Sequence, residues 1–333
     1  MNELHDSSDC RRISRFRWAM GLPYATVMRL RRWAYRKGLF GSSAAGVPVI
    51  CVGNLTCGGT GKTPMVAWVV RQLQEMGRTP AILTRGYKAV DGKADEAELL
   101  KNLTGAAVVV DPNRVRGAKT AVAGGADVLV MDDGFQHRRL RRDLDIILID
   151  ATDPFGGGAC LPLGLLRESL SAMRDAGAIV ITRSNVPPEQ LDSIRRRLVA
   201  HSRAPIYTAV HKPVAIIEAD GTEKPAGSLS GRTVFLFCGL GNPLGFLEQA
   251  VGLGAKVVGS QAMSDHVDYT DSLVEQLNEA ADKCEAEFFL TTQKDGVKLG
   301  DKDFSRPVLQ LAVEMDITGG RAELLEQIKQ LLA

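Results

Sequence analysis

The stretch VGNLTCGGTGKTP, Val52 to Pro64, decides how the rest of the chain is read. The apolar run VPVICVG leads directly into it, and a helical pattern from Thr63 to Met76 follows. Strand, glycine-rich turn and helix, in that order, form the context in which a phosphate-binding loop works. Gly58, Gly59 and Gly61 let backbone N–H groups turn inward onto phosphate oxygens, and the helix start adds its dipole. The expected nucleotide-binding set is therefore Thr56, Cys57, Gly58, Gly59, Thr60, Gly61, Lys62 and Thr63. Lys62 would neutralise the β- and γ-phosphates of ATP, and the Thr63 hydroxyl would ligate Mg²⁺. Thr56 stands where the usual G-x-x-x-x-G-K-[ST] pattern has glycine. That position only begins the loop, and the later glycines do the wrapping.

A Walker-B strand is apolar and ends in Asp, and VLVMDD supplies one. Asp132 or Asp133 is expected to hold Mg²⁺, directly or through water. Gln136, His137, Arg138 and Arg139 follow that strand and should line the cleft, whereas Arg141 and Arg142 read equally well as surface charge. GGTGKT also resembles the deviant loops of dimeric partitioning and anion-pump ATPases. Those carry a signature lysine just before the paired glycines, and here that position is Cys57.

Around the loop, AILTRG, AAVVVD, DVLVMDD, DIILID and AIVITRS are further short apolar runs alternating with helical segments. The pattern predicts an α/β fold, a P-loop NTPase-like, doubly wound, mostly parallel sheet. At YTAVHKPVAIIEADGTEKP it changes to a hairpin-like stretch with Asp220-Gly221 at a turn. A smaller second α/β lobe follows, built on TVFLFCGLGNP, AKVVG, EFFLTTQKD and PVLQLAVEM. The expected division is a basic amphipathic segment at 1–40, a P-loop lobe at 41–204, a β-ribbon linker at 205–230 and the second lobe at 231–333.

Composition bounds the function. At 333 residues, 45% hydrophobic and 24% charged, the chain reads as an ordinary globular protein long enough for two lobes. Its net charge of +2 hides an asymmetry: Arg11 to Lys37 holds nine Lys or Arg and no acid. With Trp18 and Trp33 among those cations, and Pro23 dividing the segment, the stretch suits a helix lying in an anionic bilayer interface. A basic helix back exposed to solvent is the plainer alternative. The arginines sit with Trp and Leu on a helix, not interleaved along strands, so nucleic acid is not an expected partner. No run of 18 uncharged apolar residues occurs and no secretion signal is evident. The six cysteines are scattered without a C-x-x-C pair, which fits a reducing, cytoplasmic setting.

Taken together, VGNLTCGGTGKTP, LTRGY, DPNRVRGA, DDGFQHRRLRRDLDIILID, LPLGLLRE, CGLGNP, SDH (Ser264–His266) and TTQKDGVKL resemble the tetraacyldisaccharide 4′-kinase family, over about residues 20 to 300. The resemblance implies a kinase that moves the ATP γ-phosphate onto the 4′-hydroxyl of an acylated glucosamine disaccharide 1-phosphate, a lipid A precursor. It implies a peripheral enzyme at the cytoplasmic face of the bacterial inner membrane, with an N-terminal amphipathic helix on that anionic surface. It also implies Asp95 as acceptor of the hydroxyl proton, assisted by His266, although Ala94 and Ala97 replace the family's glycine and proline. Glu168 corresponds to a Mg²⁺ ligand and Arg167 to a phosphate or substrate contact. Gln136, His137 and Arg139 are expected at the nucleotide or sugar phosphate, and Asn242, Lys294 and Asp295 are second-lobe positions matching the family. The alternative from another class is a membrane-recruited P-loop ATPase switch without a small-molecule acceptor.

Overall fold

The computed structural model describes residues 22–86, 95–264 and 267–332. Trp18, the other residues before 22, and His266 lie outside them. The first lobe opens with helix α1 (Leu22–Arg36). It continues with β1 (Val49–Asn54), α2 (Lys62–Glu75), β2 (Pro80–Thr84), α3 (Asp95–Thr104), β3 (Ala107–Val110) and α4 (Arg114–Ala123). Strands β4 (Val128–Asp132), β5 (Leu144–Asp150) and β6 (Ala178–Thr182) follow, and then helix α5 (Pro188–Val199). These six strands are parallel, in the order β6-β5-β1-β4-β2-β3. Every residue of β1, β2, β4 and β6 is buried, which is why they read as unbroken apolar runs: helices cover both faces. Strand β1 lies between β4 and β5, where the connections depart to opposite sides. Open α/β sheets hold ligands beyond the carboxyl ends of the strands at such a point.

The second half comprises β7 (Ile206–Ile217), β8 (Glu223–Pro225), β9 (Thr233–Cys238), α6 (Pro243–Gly252) and β10 (Lys256–Ala262). It ends with α7 (Asp271–Lys283), β11 (Phe288–Thr292), α8 (Gln293–Gly296), β12 (Val308–Gly319) and α9 (Arg321–Leu332). Strand β7 starts parallel to β6, at Ile206–Thr208, and then runs antiparallel to β12 from Thr208 to Ile217. The pair β7–β12 therefore joins both halves into one twelve-stranded sheet among the described residues. The short β8 adds only a three-residue pairing to β7.

Packing divides the chain differently from the sequence expectation that 231–333 is all second lobe. Met315, Ile317, Leu324 and Ile328 are buried in the same cluster as Trp68, Val69 and Leu73 of α2. Helix α9 thus crosses back to close the first lobe. The second lobe's own interior is aromatic, with Phe237 and Phe289 at 5.7 Å edge to face and Phe304 stacked 5.6 Å from Phe237.

Helix α1 buries Ala25, Arg32 and Ala34 while exposing Val27, Leu30 and Trp33, with Leu39 and Phe40 exposed beyond its end. Two of its cations are not left to solvent: Arg32 pairs with Glu168, and Arg36 with Asp175. Acids from far along the chain offset part of the N-terminal positive charge.

Candidate nucleotide and phosphoryl-transfer site

The Gly58 and Gly61 backbones adopt φ of +120° and +85°, conformations that other residues reach only at a cost. Gly61 is the residue before α2, so the loop turns straight into the helix N-terminus. The rest of the loop is held from outside. The Cys57 N–H donates to the Leu165 carbonyl at 2.7 Å, and the Thr182 hydroxyl to the Thr60 carbonyl at 3.0 Å. Arg183 donates to the Gly59 carbonyl at 3.1 Å, and the Asn54 amide to the Thr60 hydroxyl at 2.9 Å. A Cβ on Gly61 would strike the His211 ring of β7, so that imidazole sits directly against the turn. Burial, and then Arg183, push the His211 pKa down to about 3, so it is neutral at physiological pH.

Beyond the ends of β1 and β4 the charged side chains converge. Lys62 Nζ lies 3.4 Å from Asn54 Oδ1 and 3.8 Å from Asp133. Arg167 donates to both Asp133 carboxylate oxygens, at 3.0 and 2.7 Å. Burial alone would raise the Asp133 carboxyl, but Lys62 and Arg167 beside it hold it below the usual range. Asp132 faces a drier place. Burial, with Glu96 and Asp133 nearby, pushes its carboxyl up to about 7, and its Oδ1 has no hydrogen-bond partner. Gln136 donates to the Asn54 carbonyl at 3.0 Å, which fixes it at the rim of the same cluster.

Other expected residues are placed as follows. His137 is partly buried, and burial together with Arg114 pushes its pKa down to about 4, so it is not a cation at neutral pH. The Arg139 side chain is exposed. Arg138 is occupied by Asp175 at 2.7 Å. Arg142, read as possible surface charge, is instead enclosed: it meets Asp145 at 3.1 Å and the carbonyls of Gly134, Phe135 and His137. Glu168 departs from the expected metal ligand, because it is 1% exposed and its carboxylate is taken by Arg32. Asp95 is exposed in the first turn of α3, next to Glu96. His266 lies outside the described residues.

The second lobe reaches the loop. A Cβ on Gly241, in GLGNP, would come within 2.9 Å of the Gly59 nitrogen, so only glycine permits this approach. The fully buried Asp295 anchors that turn by accepting from the Gly239 N–H at 3.1 Å and the Thr292 hydroxyl at 2.8 Å. Its neighbour Lys294 lies 3.6 Å from Glu96. Sequence reasoning missed several supports: Asn54, Arg183, His211, and Arg114, which donates to the Asp132 carbonyl at 3.1 Å. Arg114, within DPNRVRGA, and Asn54, within VGNLTCGGTGKTP, lie in stretches that carry the family resemblance, whereas Arg183 and His211 do not.

No group of three or more His, Cys, Asp or Glu suited to a metal is gathered among the described residues. A cation would therefore depend on the carboxylate pair, Thr63 and phosphate oxygens, the mode in which Mg²⁺ accompanies nucleotides. The unpartnered, buried Asp132 Oδ1 fits such an ion. No helix among the described residues is long and apolar enough to cross a membrane.

Comparison with known proteins finds one family over nearly the whole chain. The family model described as tetraacyldisaccharide-1-P 4′-kinase matches residues 13–333. A tetraacyldisaccharide 4′-kinase from Anaeromyxobacter sp. (strain K) is 40% identical over 301 residues, covering 83% of this chain and 79% of the relative. One from Syntrophotalea carbinolica is 36% identical over 317 residues, covering 89% and 86%. A crystal structure of LpxK from Aquifex aeolicus in complex with ATP superposes with a TM-score of 0.76 at 30% identity, covering 95% of this chain and 98% of that one.

Proposed function

The chain belongs to the tetraacyldisaccharide-1-phosphate 4′-kinase family, and we propose that the cluster around Lys62 and Asp133 is where it carries out that family's reaction. It is an ATP-dependent kinase that transfers the γ-phosphate to the 4′-hydroxyl of an acylated glucosamine disaccharide 1-phosphate, a step of lipid A biosynthesis.

Phosphoryl transfer asks a protein mainly for positioning and for neutralising charge on the transferred group. The backbone amides of the glycine turn, from Gly58 to Thr63, cradle the triphosphate, with Lys62 against its outer phosphates. Arg167, tied to Asp133, contributes a second cation on the far side. Thr63, Asp132 and Asp133 are the residues that would hold Mg²⁺, which supplies neutralisation of the phosphate oxygens when bound. Asp95 takes the proton from the 4′-hydroxyl, with His266 as its partner. The supports for Asp95 are its place at the start of α3 and its neighbour Glu96, which lies within electrostatic reach of Asp132 and 3.6 Å from Lys294. Gln136 borders the acceptor side, and Glu168 acts through Arg32 to fix the loop that bears Arg167. The observation that carries the reading is the convergence of Lys62, Arg167 and Asp133 beside a glycine turn that the second lobe touches.

The enzyme works peripherally, at the cytoplasmic face of the inner membrane. The exposed Val27, Leu30 and Trp33 enter the interface while the surrounding arginines meet anionic head groups. Incubation with labelled ATP, Mg²⁺ and the disaccharide 1-phosphate tests the central reading. Label in the lipid supports it, and label only in free phosphate would return the ATPase switch.

A further inference from the structure

The second lobe buries an ion pair that its core does not require. Asp295 of α8 is fully buried, and the Lys298 side chain, one turn on, is 7% exposed with its Nζ 3.8 Å from Asp295 Oδ1. Burial first, and Asp295 second, push the Cys238 thiol up to about 12, and the same causes in the same order push the Tyr269 phenol up. Both side chains are buried within electrostatic reach of that carboxylate. Burial strips an acid and an ammonium of their hydration, and apolar side chains of like volume often stabilise a fold as well or better. What the pair holds in place explains it better than stability does.

Three parts of the chain meet at Asp295. Its Oδ2 accepts from the Gly239 N–H at 3.1 Å, and two residues later Gly241 lies against Gly59 of the nucleotide loop. A Cβ on Gly239 would stand 3.1 Å from Asp295 Oδ1, 3.2 Å from the Ser264 carbonyl oxygen and 3.0 Å from Val267. Ser264 and Val267 thus pack on the same turn, and the Met263 N–H donates to the Cys238 carbonyl at 2.9 Å. On the remaining side Lys294 reaches Glu96, the neighbour of Asp95, at 3.6 Å.

We propose that Asp295 is a positioning residue for the phosphoryl transfer: one buried carboxylate fixes the separations between the glycine turn at the nucleotide loop, the chain around Ser264 and Val267, and the helix that bears Lys294. The inference rests on the kinase reading and deepens it. Asp95, His266 and the nucleotide loop come from three distant parts of the sequence. Helix α8 is linked, directly or through the turn Gly239–Gly241, to the nucleotide loop and to a chain neighbour of each of the other two. A displacement of about 1 Å, even one that starts far from the chemistry, can cost about 10²-fold in rate.

The test compares Asp295→Ala, Asp295→Asn and Gly239→Ala in the full chain, with the tetraacyldisaccharide 1-phosphate in mixed micelles as acceptor. Circular dichroism with a thermal melt establishes that each is folded at the assay temperature. Both Asp295 variants leave Lys298 without its counter-charge and should lose stability alike, but only asparagine keeps an oxygen that accepts from the Gly239 N–H. Asp295→Ala should lower kcat by about 10–100-fold with KM for ATP within about twofold. The phosphate cradle keeps its own supports from Leu165, Thr182 and Arg183. Asp295→Asn should recover most of the lost rate. Gly239→Ala leaves the ion pair in place and pushes its neighbours aside by a few tenths of an ångström, so kcat should fall by about threefold to tenfold. Should Asp295→Ala fail to fold, Asp295→Asn and Gly239→Ala carry the test. Equal kcat losses in the two Asp295 variants would overturn the proposal, because the rate would then follow stability. Unchanged kcat in Gly239→Ala would overturn it too, as would a rise in KM for ATP that matches the fall in kcat. Wild-type protein that leaves the lipid unphosphorylated would refute the kinase reading itself, whereas an active wild type with unaffected variants refutes only the role of Asp295.

Discussion

Arg167 embraces Asp133 with both carboxylate oxygens in reach, at 3.0 and 2.7 Å, while Lys62 stands 3.8 Å from the same carboxylate. An acid held between two cations stays ionised and keeps both cations aimed at one place. Asp133→Asn should lower kcat by about 10²–10³-fold, the scale of losing one preorganised electrostatic contact in a dry site. Steady-state kinetics with the disaccharide acceptor checks this. Arg167→Lys should recover only a minor part of the loss seen with Arg167→Ala, because an ammonium cannot span both oxygens.

Gly61→Ala meets two obstacles at once. The φ of +85° costs a side chain about 1–2 kcal/mol, and the new methyl collides with the His211 ring. The variant should bind ATP far more weakly while the second lobe stays folded. Pairing it with His211→Ala should restore part of the binding by removing the collision, which isothermal calorimetry can follow.

His211 also predicts a pH dependence. Its folded pKa is depressed to about 3, by burial first and Arg183 second, so the unfolded chain binds its proton at a higher pH than the folded one. Stability is therefore full above about 6.5 and declines as pH falls through the window toward 3. By pH 5 the loss amounts to about 2 kcal/mol or less, since the ring keeps some contact with solvent. His211→Gln should flatten the melting temperature between pH 7 and 5 relative to wild type. Identical slopes for the two proteins would refute the assignment.

Lys294 and Glu96 meet at 3.6 Å across the two lobes, both partly open to solvent. A pair of that kind adds about 0–1 kcal/mol to stability. Its value lies in holding α3, with Asp95, toward the turn that carries Asp295. Lys294→Ala should leave the melting temperature within about 2 °C, yet lower kcat about tenfold with KM for ATP unchanged. A kinetic effect confined to KM for ATP would count against this role.

Much of this was legible because it is local. The glycine turn, Lys62, Thr63 and the Asp132-Asp133 pair lie on or beside strands whose apolar runs mark their burial, so sequence order places them at one sheet edge. The supports of that edge were not legible. Arg32 finds Glu168 across 136 positions, and β7 finds β12 a hundred residues later along the chain. No periodicity records such pairings. Glu168 shows the consequence: the family resemblance at LPLGLLRE suggested a metal ligand, whereas an arginine from α1 occupies its carboxylate. Arg142 is the converse, a surface-looking cation whose Nη1 donates to carbonyls of the preceding turn while its Nη2 meets Asp145.

Ile328 of α9 packs among Trp68, Val69 and Leu73, more than 250 positions from where the lobe's chain began. Ile328→Ala should cost about 2–5 kcal/mol, as core truncations do. The arrangement also orders events during synthesis. A ribosome must translate past that helix before the nucleotide lobe can seal its interior, so a nascent chain cut short of Ile328 leaves the cluster around α2 open and its grip on ATP incomplete.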